Sequence, residues 1–194
     1  MDAFRRDKDL KSRRAIYYEL LALRCRRGDR EAMEELIRCF EGQLLYYLRR
    51  MAGNEADAWN LLQETWLKVI RSIKNLREPK SLAAWLYAIA RKTAMSHLRS
   101  KYAKDIPTNR TVEIAEIEDK AQNVSFETAE EIHKGLGRIS LAHREVLTLF
   151  FLEDLSLEQI GTVLEIPVGT VKSRLHYAKL ALKKALATEG DGDA

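Results

Sequence analysis

The sequence predicts an all-α chain of two small helical domains joined by an acidic flexible linker. Three observations carry this. Only three prolines and nine glycines interrupt 194 residues, and no run of β-branched residues alternates with polar ones. Apolar residues make up 46% of the chain and recur three and four apart. Charge falls in blocks: residues 67–104 hold ten basic side chains and one acid, whereas residues 105–131 hold two basic and eight acidic ones and lose the helical period. Two basic blocks, 67–104 and 166–184, on either side of an acidic segment point to a polyanion contacted at two places.

Composition excludes several classes. No apolar run approaches the ~20 residues of a membrane span, so no membrane insertion is expected. The start MDAFRRDKDLKSRR is charged and has no apolar core behind it, unlike a secretory signal. Cys25 and Cys39 are too few and too unpatterned for a disulfide framework or a zinc site and read as reduced, at least partly buried thiols of a cytoplasmic protein. His97, His133, His143 and His176 lack ligand spacing. No metal or cofactor is therefore expected. No nucleophile–base arrangement is legible, which leaves an enzyme such as a recombinase with a DNA-binding tail little support.

In chain order, residues 1–14 read as a frayed polar start and residues 15–27 as a helix broken at Gly28-Asp29, with Asp29 placed to cap the next one. Residues 30–52 carry Met33, Leu36, Ile37, Phe40, Leu44, Leu48 and Met51 on one stripe, and Gly53-Asn54 is the stop. Residues 55–73 repeat Trp59, Leu62, Trp66, Val69 and Ile73 as a core stripe, opposite Asp57, Asn60, Gln63 and Glu64. That polar face suits solvent or a basic partner helix equally. The loop 74–81 is charged, and Ser81 can cap residues 82–100, with Leu82, Trp85, Leu86, Ile89 and Leu98 as core candidates. Tyr87, Arg91, Lys92, Arg99, Lys101 and Tyr102 mix aromatic and cationic groups, the chemistry that holds single-stranded nucleic acid by stacking and phosphate contact. Trp85 and Tyr87 also fit a core role. The acidic linker, 103–126, would mimic nucleic acid beside a basic channel. Residues 127–138 resume a helix, and Ser140 can cap residues 141–153, with Leu141, Val146, Leu149, Phe150 and Leu152 inside.

Leu155–Leu186 reads as two helices and a tight turn. Ser156 and Gln159 form a capping box. Leu157, Ile160, Val163 and Leu164 line one face, and Gly161 sits where a second helix must pass close. Glu165-Ile166 is the turn, and Pro167 suits a helix start. Val171, Leu175, Ala178 and Leu182 form the inward stripe of the second helix. Its other faces carry Thr170, Lys172, Ser173, Arg174, His176, Tyr177, Lys179, Lys183 and Lys184, and from Ile166 to Leu186 there are five Lys/Arg and no acid. This is the helix-turn-helix layout, whose second helix enters the major groove. An ordinary helical hairpin with a solvated basic face is the plainer reading, and the one-signed charge weighs against it.

Two blocks in this order resemble the extracytoplasmic-function class of bacterial RNA polymerase sigma factors. The residues carrying the resemblance are RGDREAMEELI, DAWNLLQETWLKVI, SLAAWLYAIAR, LAHREVLTLFFLEDLSLEQI and IPVGTVKSRLHYAKLALKKAL. It implies an extension over 1–27, region 2 over 28–102, a linker over 103–133, region 4 over 134–187 and a flexible tail over 188–194. Asp57, Asn60, Gln63 and Glu64 match the segment that clamps the β′ coiled coil of core polymerase, with the β flap as a second contact. Asn75, Arg77, Lys80 and Ser81 match the loop that captures a flipped −10 base, at a cost of a few kcal/mol that a pocket recovers. Trp85, Tyr87, Arg91 and Lys92 match the helix that opens and holds the non-template strand. Thr170, Lys172, Ser173, Arg174, His176, Tyr177 and Lys179 match the helix reading duplex −35 DNA, where a good base contact discriminates by about 1–3 kcal/mol. An anti-sigma factor is the implied regulatory partner. The alternative is a stand-alone helix-turn-helix regulator, which leaves residues 55–102 unexplained.

The chain departs from the family pattern in places. Glu165 holds a turn position usually given to glycine. Leu82 stands where an aromatic is usual, Lys92 and Ser96 replace common Asn and Asp, and Tyr177 replaces a common Arg. Leu180 points outward with no expected DNA role and suggests a protein contact.

Overall fold

The computed structural model describes residues 2–102 and 129–187, all of whose regular elements are helical. Helices α1 (Asp2–Arg26), α2 (Arg30–Ala52), α3 (Glu55–Ser72) and α4 (Leu82–Tyr102) form the first bundle. Helices α5 (Ala129–Arg138), α6 (Leu141–Leu147), α7 (Leu157–Leu164) and α8 (Val168–Ala187) form the second. The linker at 103–126 and the tail at 188–194 lie outside the described residues.

The first bundle is built around α2. Asp29 caps it by accepting the Ala32 N–H at 3.0 Å, and Gly53 ends it in the left-handed region at φ 79°. Asn54, read only as part of the stop, also starts α3 by accepting the Asp57 N–H at 2.8 Å. Leu36, Phe40, Leu44, Leu48 and Met51 are buried as expected, and Leu45 and Tyr47 join them. On α3, Leu62, Trp66 and Val69 are buried with Ala58, Leu61 and Thr65, and Ile73 is buried in the turn that follows. Trp59 is a correction to the core stripe: it is 43% exposed, and its indole N–H donates to Glu55. Small Ala58 and Leu61 take the inward places in that turn, so the larger indole lies outside.

The expected frayed start is also corrected, because α1 begins at Asp2. No glycine or proline precedes Gly28, and most residues there favour helix. The helix lies against α2, α4 and two 3-10 turns, Ile73–Asn75 and Pro79–Ser81. Leu76, buried between those turns, pins the loop. Ser81 closes the second turn, with its N–H on the Glu78 carbonyl at 3.0 Å.

In the second bundle Ser140 caps α6, accepting the His143 N–H at 3.3 Å. The helix then widens into a π turn over Thr148–Leu152. Val146 and Leu149 are buried, whereas Leu152, expected inside, is 42% exposed. The extra residue in the wider turn shifts the register, so a position at helical spacing no longer faces the core. The Ser156–Gln159 capping box forms in both directions, at 3.2 and 2.9 Å. Gly161 earns its place through the turn itself: a Cβ there would lie 3.0 Å from the Ile166 carbonyl oxygen, and 3.7–3.8 Å from Val168 and Val171 of α8. Glu165 adopts the left-handed conformation, φ 58° and ψ 43°, which costs a non-glycine residue about 1–2 kcal/mol. The inward stripe of α8 is Val171, Leu175, Ala178 and Leu182, all buried. Buried side chains of both bundles join in one continuous core.

Candidate nucleic-acid interface

The outward side of α8 carries the residues expected to read duplex DNA. Lys172 is exposed, and Thr170, Ser173, Arg174, His176, Tyr177 and Lys179 are half-buried. The Ser173 hydroxyl donates back to the Gly169 and Thr170 carbonyls at 3.3 and 3.1 Å. The His176 and Tyr177 rings meet edge to face at 5.5 Å. The Lys179 ammonium lies 5.4 Å from the Phe151 ring centroid and 5.9 Å from that of Phe150, a cation–π arrangement that turns it toward the π turn after α6. Leu180 is exposed, as its outward position implied.

The outer face of α3 presents Asn60, Gln63 and Glu64 to solvent. Trp59, Leu67 and Ile70 are exposed beside them, so this face is mixed apolar and polar. Asp57 differs from its companions. It accepts from Lys101 and Asn54, each at 2.6 Å, with His97 at 3.2 Å. The Lys101 hydrogen bond is the main cause holding its carboxyl well below the usual range. Asp57 thus ties the start of α3 to the end of α4.

Asn75, Arg77 and Lys80 are exposed on the loop before α4, and Ser81 and Trp85 are half-buried. The other residues expected to hold a single strand face the second bundle. Tyr87 is buried, packs edge to face on Tyr47, and donates its hydroxyl to Glu153. Arg91 Nε donates to Glu145 at 3.0 Å, and the Tyr47 hydroxyl donates to the same carboxylate oxygen at 2.8 Å. Lys92 pairs with Glu165 at 2.9 Å, and Arg14 of α1 with Asp154 at 3.0 Å. Backbone contacts extend the seam: Arg144 donates to the Arg50 carbonyl at 3.0 Å and Arg50 to the His133 carbonyl at 3.2 Å. The Tyr46 hydroxyl lies 2.8 Å from His133 Nδ1.

Sequence reasoning missed Tyr47, Glu145 and Glu153 as members of this arrangement. One signal was present: Glu145 directly precedes the largely apolar run Val146–Leu152. It is 3% exposed, and a buried carboxylate needs a cation or donors.

Burial pushes the Glu153 carboxyl up to about 7, although the Tyr87 hydroxyl works against the shift. Its folded value thus exceeds the ordinary carboxylate value near 4.3. The folded chain holds that proton after the unfolded chain has released it. Stability from Glu153 is therefore complete below about pH 4, falls as pH rises, and is lost above about 7. Glu153→Gln is expected to melt higher than the parent at pH 8 and to approach it at pH 5. Thermal melts of both proteins at each pH read this as a difference, which cancels the histidines common to both.

Among the described residues, no helix is long and apolar enough to cross a membrane, and no three His, Cys, Asp or Glu side chains are placed to hold a metal. A capped helix-turn-helix with a cationic outer side, packed on a second helical bundle, defines a DNA-binding protein of two helical modules. The chain matches the family models for Sigma-70 region 2 over residues 36–103 and Sigma-70 region 4 over residues 135–184. It is 32% identical over 177 residues to the RNA polymerase sigma-H factor of Pseudomonas aeruginosa, covering 86% of this chain and 92% of that one. It is 27% identical to the ECF RNA polymerase sigma factor SigW of Bacillus subtilis, covering 83% and 92%. Two solved structures share the fold. CnrH in complex with the cytosolic domain of CnrY aligns with a TM-score of 0.64 at 19% identity, over 91% of this chain and 99% of that one. RpoE of Bartonella quintana in complex with the anti-sigma factor NepR gives 0.63 at 21%, over 79% and 96%. The chain belongs to the extracytoplasmic-function group of RNA polymerase sigma factors.

Proposed function

We propose that this chain is a dissociable promoter-recognition subunit of bacterial RNA polymerase, working in the cytoplasm with no catalysis of its own. The outer face of α3, through Asn60, Gln63 and Glu64, docks the β′ coiled coil, and Asp57 anchors that helix to α4. The β flap takes the second bundle. The loop from Asn75 to Ser81, with Arg77 and Lys80, captures a −10 base. Trp85, Tyr87, Arg91 and Lys92 hold the opened strand. The outward side chains of α8 from Thr170 to Lys179 read the −35 duplex. The domain limits follow: region 2 over 28–102 and region 4 over 134–187, with linker 103–133 between them. An anti-sigma factor restrains the subunit, as the NepR complex of the Bartonella protein suggests.

The observation that carries this reading is the pair of sigma-70 regions, in order on one chain, with Gln63 and Glu64 uncovered on the outside of region 2. A stand-alone regulator would give that face no task. Run-off transcription with purified core polymerase on a promoter identified from overproduction transcripts tests it. Core-dependent initiation is expected, and its absence overturns the reading. Gln63→Ala with Glu64→Ala is expected to weaken core binding about 30-fold, the effect of losing a hot spot of ~2 kcal/mol, with the circular dichroism spectrum unchanged.

A further inference from the structure

Helix α8 sorts its outer side chains by direction. At about 3.6 residues per turn, Lys172, Arg174 and Lys179 fall roughly 70–90° from the centre of the buried stripe, on its two flanks. Each leans on a neighbouring element. The backbone N–H of Glu158 and the Ser156 hydroxyl hold the Glu158 carboxyl of α7 below its usual range, and the Lys172 ammonium adds to this. Burial holds the His143 ring of α6 below its ordinary value, and the Arg174 guanidinium adds to that. Lys179 lies over the Phe150 and Phe151 rings. Between Val168 and Leu180, the residues more than roughly 120° from the stripe are Gly169, Ser173, His176, Tyr177 and Leu180. These point straight out. Guanine is taken in bidentate fashion by Arg or Lys, and adenine by Asn or Gln. The outward line holds none of the four. The Ser173 hydroxyl donates to the Gly169 and Thr170 carbonyls, so toward a base its oxygen can only accept. The His176 and Tyr177 rings stand edge to face at 5.5 Å, each half-buried. That contact holds both rings before any DNA arrives, and a side chain ordered in advance loses little freedom on binding.

We propose that Tyr177, steadied by His176, is a specificity-determining residue that recognises thymine through its C5-methyl group, so that the −35 element of this chain carries an A·T pair at the step beneath that ring. This rests on α8 being the −35 reading helix. The thymine methyl is the one apolar group that base pairs show in the major groove. A ring that covers it removes apolar surface from water. The same ring gives guanine no pair of donors for its two acceptors, and a guanidinium in its place would make the opposite choice. Lys172, exposed near the start of the helix, can still take a guanine there. Base choice therefore changes along α8, from a hydrogen-bonding end to an apolar one. The cations on the flanks lie where phosphates run beside the groove, and phosphate contacts fix position without reading sequence.

The test uses holoenzyme assembled from the full chain and core polymerase, with a promoter library randomised over the −35 element and the transcribed templates sequenced. The parent is expected to fix thymine at one position. Tyr177→Phe should leave it fixed, Tyr177→Ala should release it, and Tyr177→Arg should convert it to guanine, with the other positions unchanged. Deoxyuridine in place of that thymidine then removes the methyl group alone and leaves the protein untouched. Parent holoenzyme should bind a fluorescein-labelled promoter duplex carrying the replacement about fourfold more weakly, the effect of one methyl group returned to water. The Tyr177→Ala holoenzyme should bind both duplexes equally. Equal binding by the parent, or an unchanged base preference in Tyr177→Ala, overturns the thymine assignment and leaves α8 as the −35 reader. A parent holoenzyme that initiates without preference at any −35 position overturns it differently, by removing the reading of α8 on which it rests.

Discussion

Arg91→Ala is expected to split the thermal unfolding of the chain into two transitions, one for each bundle. Glu145 is 3% exposed and its carboxylate has two partners, Arg91 and Tyr47. Removing the guanidinium leaves a buried charge with one phenol, and breaking a buried pair in this way costs about 3–5 kcal/mol. The chain has an escape that a single core lacks. If the bundles part, Glu145 is hydrated and the penalty ends. The loss therefore saturates at the free energy of closing, and what is lost is the coupling between bundles rather than either fold. Differential scanning calorimetry reads this directly, with a single parental endotherm resolving into two. Arg91→Lys should fall between, because an ammonium keeps the charge and changes the fixed fork geometry. A single unshifted endotherm for Arg91→Ala would mean that the pair contributes nothing to closing.

Gly161→Val is expected to abolish duplex binding and to leave docking on core polymerase intact. A Cβ at Gly161 lies 3.0 Å from the Ile166 carbonyl oxygen, and that oxygen belongs to the turn, whose N–H is bonded back to the Gly161 carbonyl at 3.1 Å. Backbone on both sides cannot rotate away as a side chain could. The added branches also meet Val168 and Val171, which α8 uses to sit on α7. Overpacking of this kind typically costs about 1–3 kcal/mol, and here it also tilts the reading helix against its support. Alanine is the informative control, since its gain in helix propensity of roughly 1 kcal/mol offsets part of the clash. Gel shift on duplex promoter DNA and a pull-down with core polymerase separate the two outcomes.

The helix-turn-helix was legible because every level agreed. Capping pair, small residue, turn and a 4-3-4 apolar stripe all named one geometry, and Val171, Leu175, Ala178 and Leu182 are buried accordingly. The outer face of α3 was half legible. Polar Asn60, Gln63 and Glu64 announced it, but the 3-4 spacing drew Trp59 into the core stripe. Helix α3 has apolar residues on more than one side, Leu67 and Ile70 among them, and periodicity alone does not say which side faces in. Leu152 failed for another reason, since periodicity assumes an unbroken α-helix and the π turn adds a residue. The seam between bundles was not legible. Tyr47 and Glu145 stand 98 positions apart, and charged residues on separate helices read as solvated until the chain brings them together. The expectation that acid would mimic nucleic acid was made of the linker, which lies outside the described residues. The acids seen on the cations of α4 belong to region 4.

The paired cations of α4 also bear on ionic strength. A cation that must leave a carboxylate before it meets a phosphate exchanges one ion pair for another. Added salt loosens the phosphate contact through the counterions that DNA releases, and it loosens the competing carboxylate contact as well. The two effects oppose each other in the measured affinity. Strand binding by the free chain should then fall with salt less steeply than the number of phosphates it touches would require, and the missing slope belongs to Arg91 and Lys92.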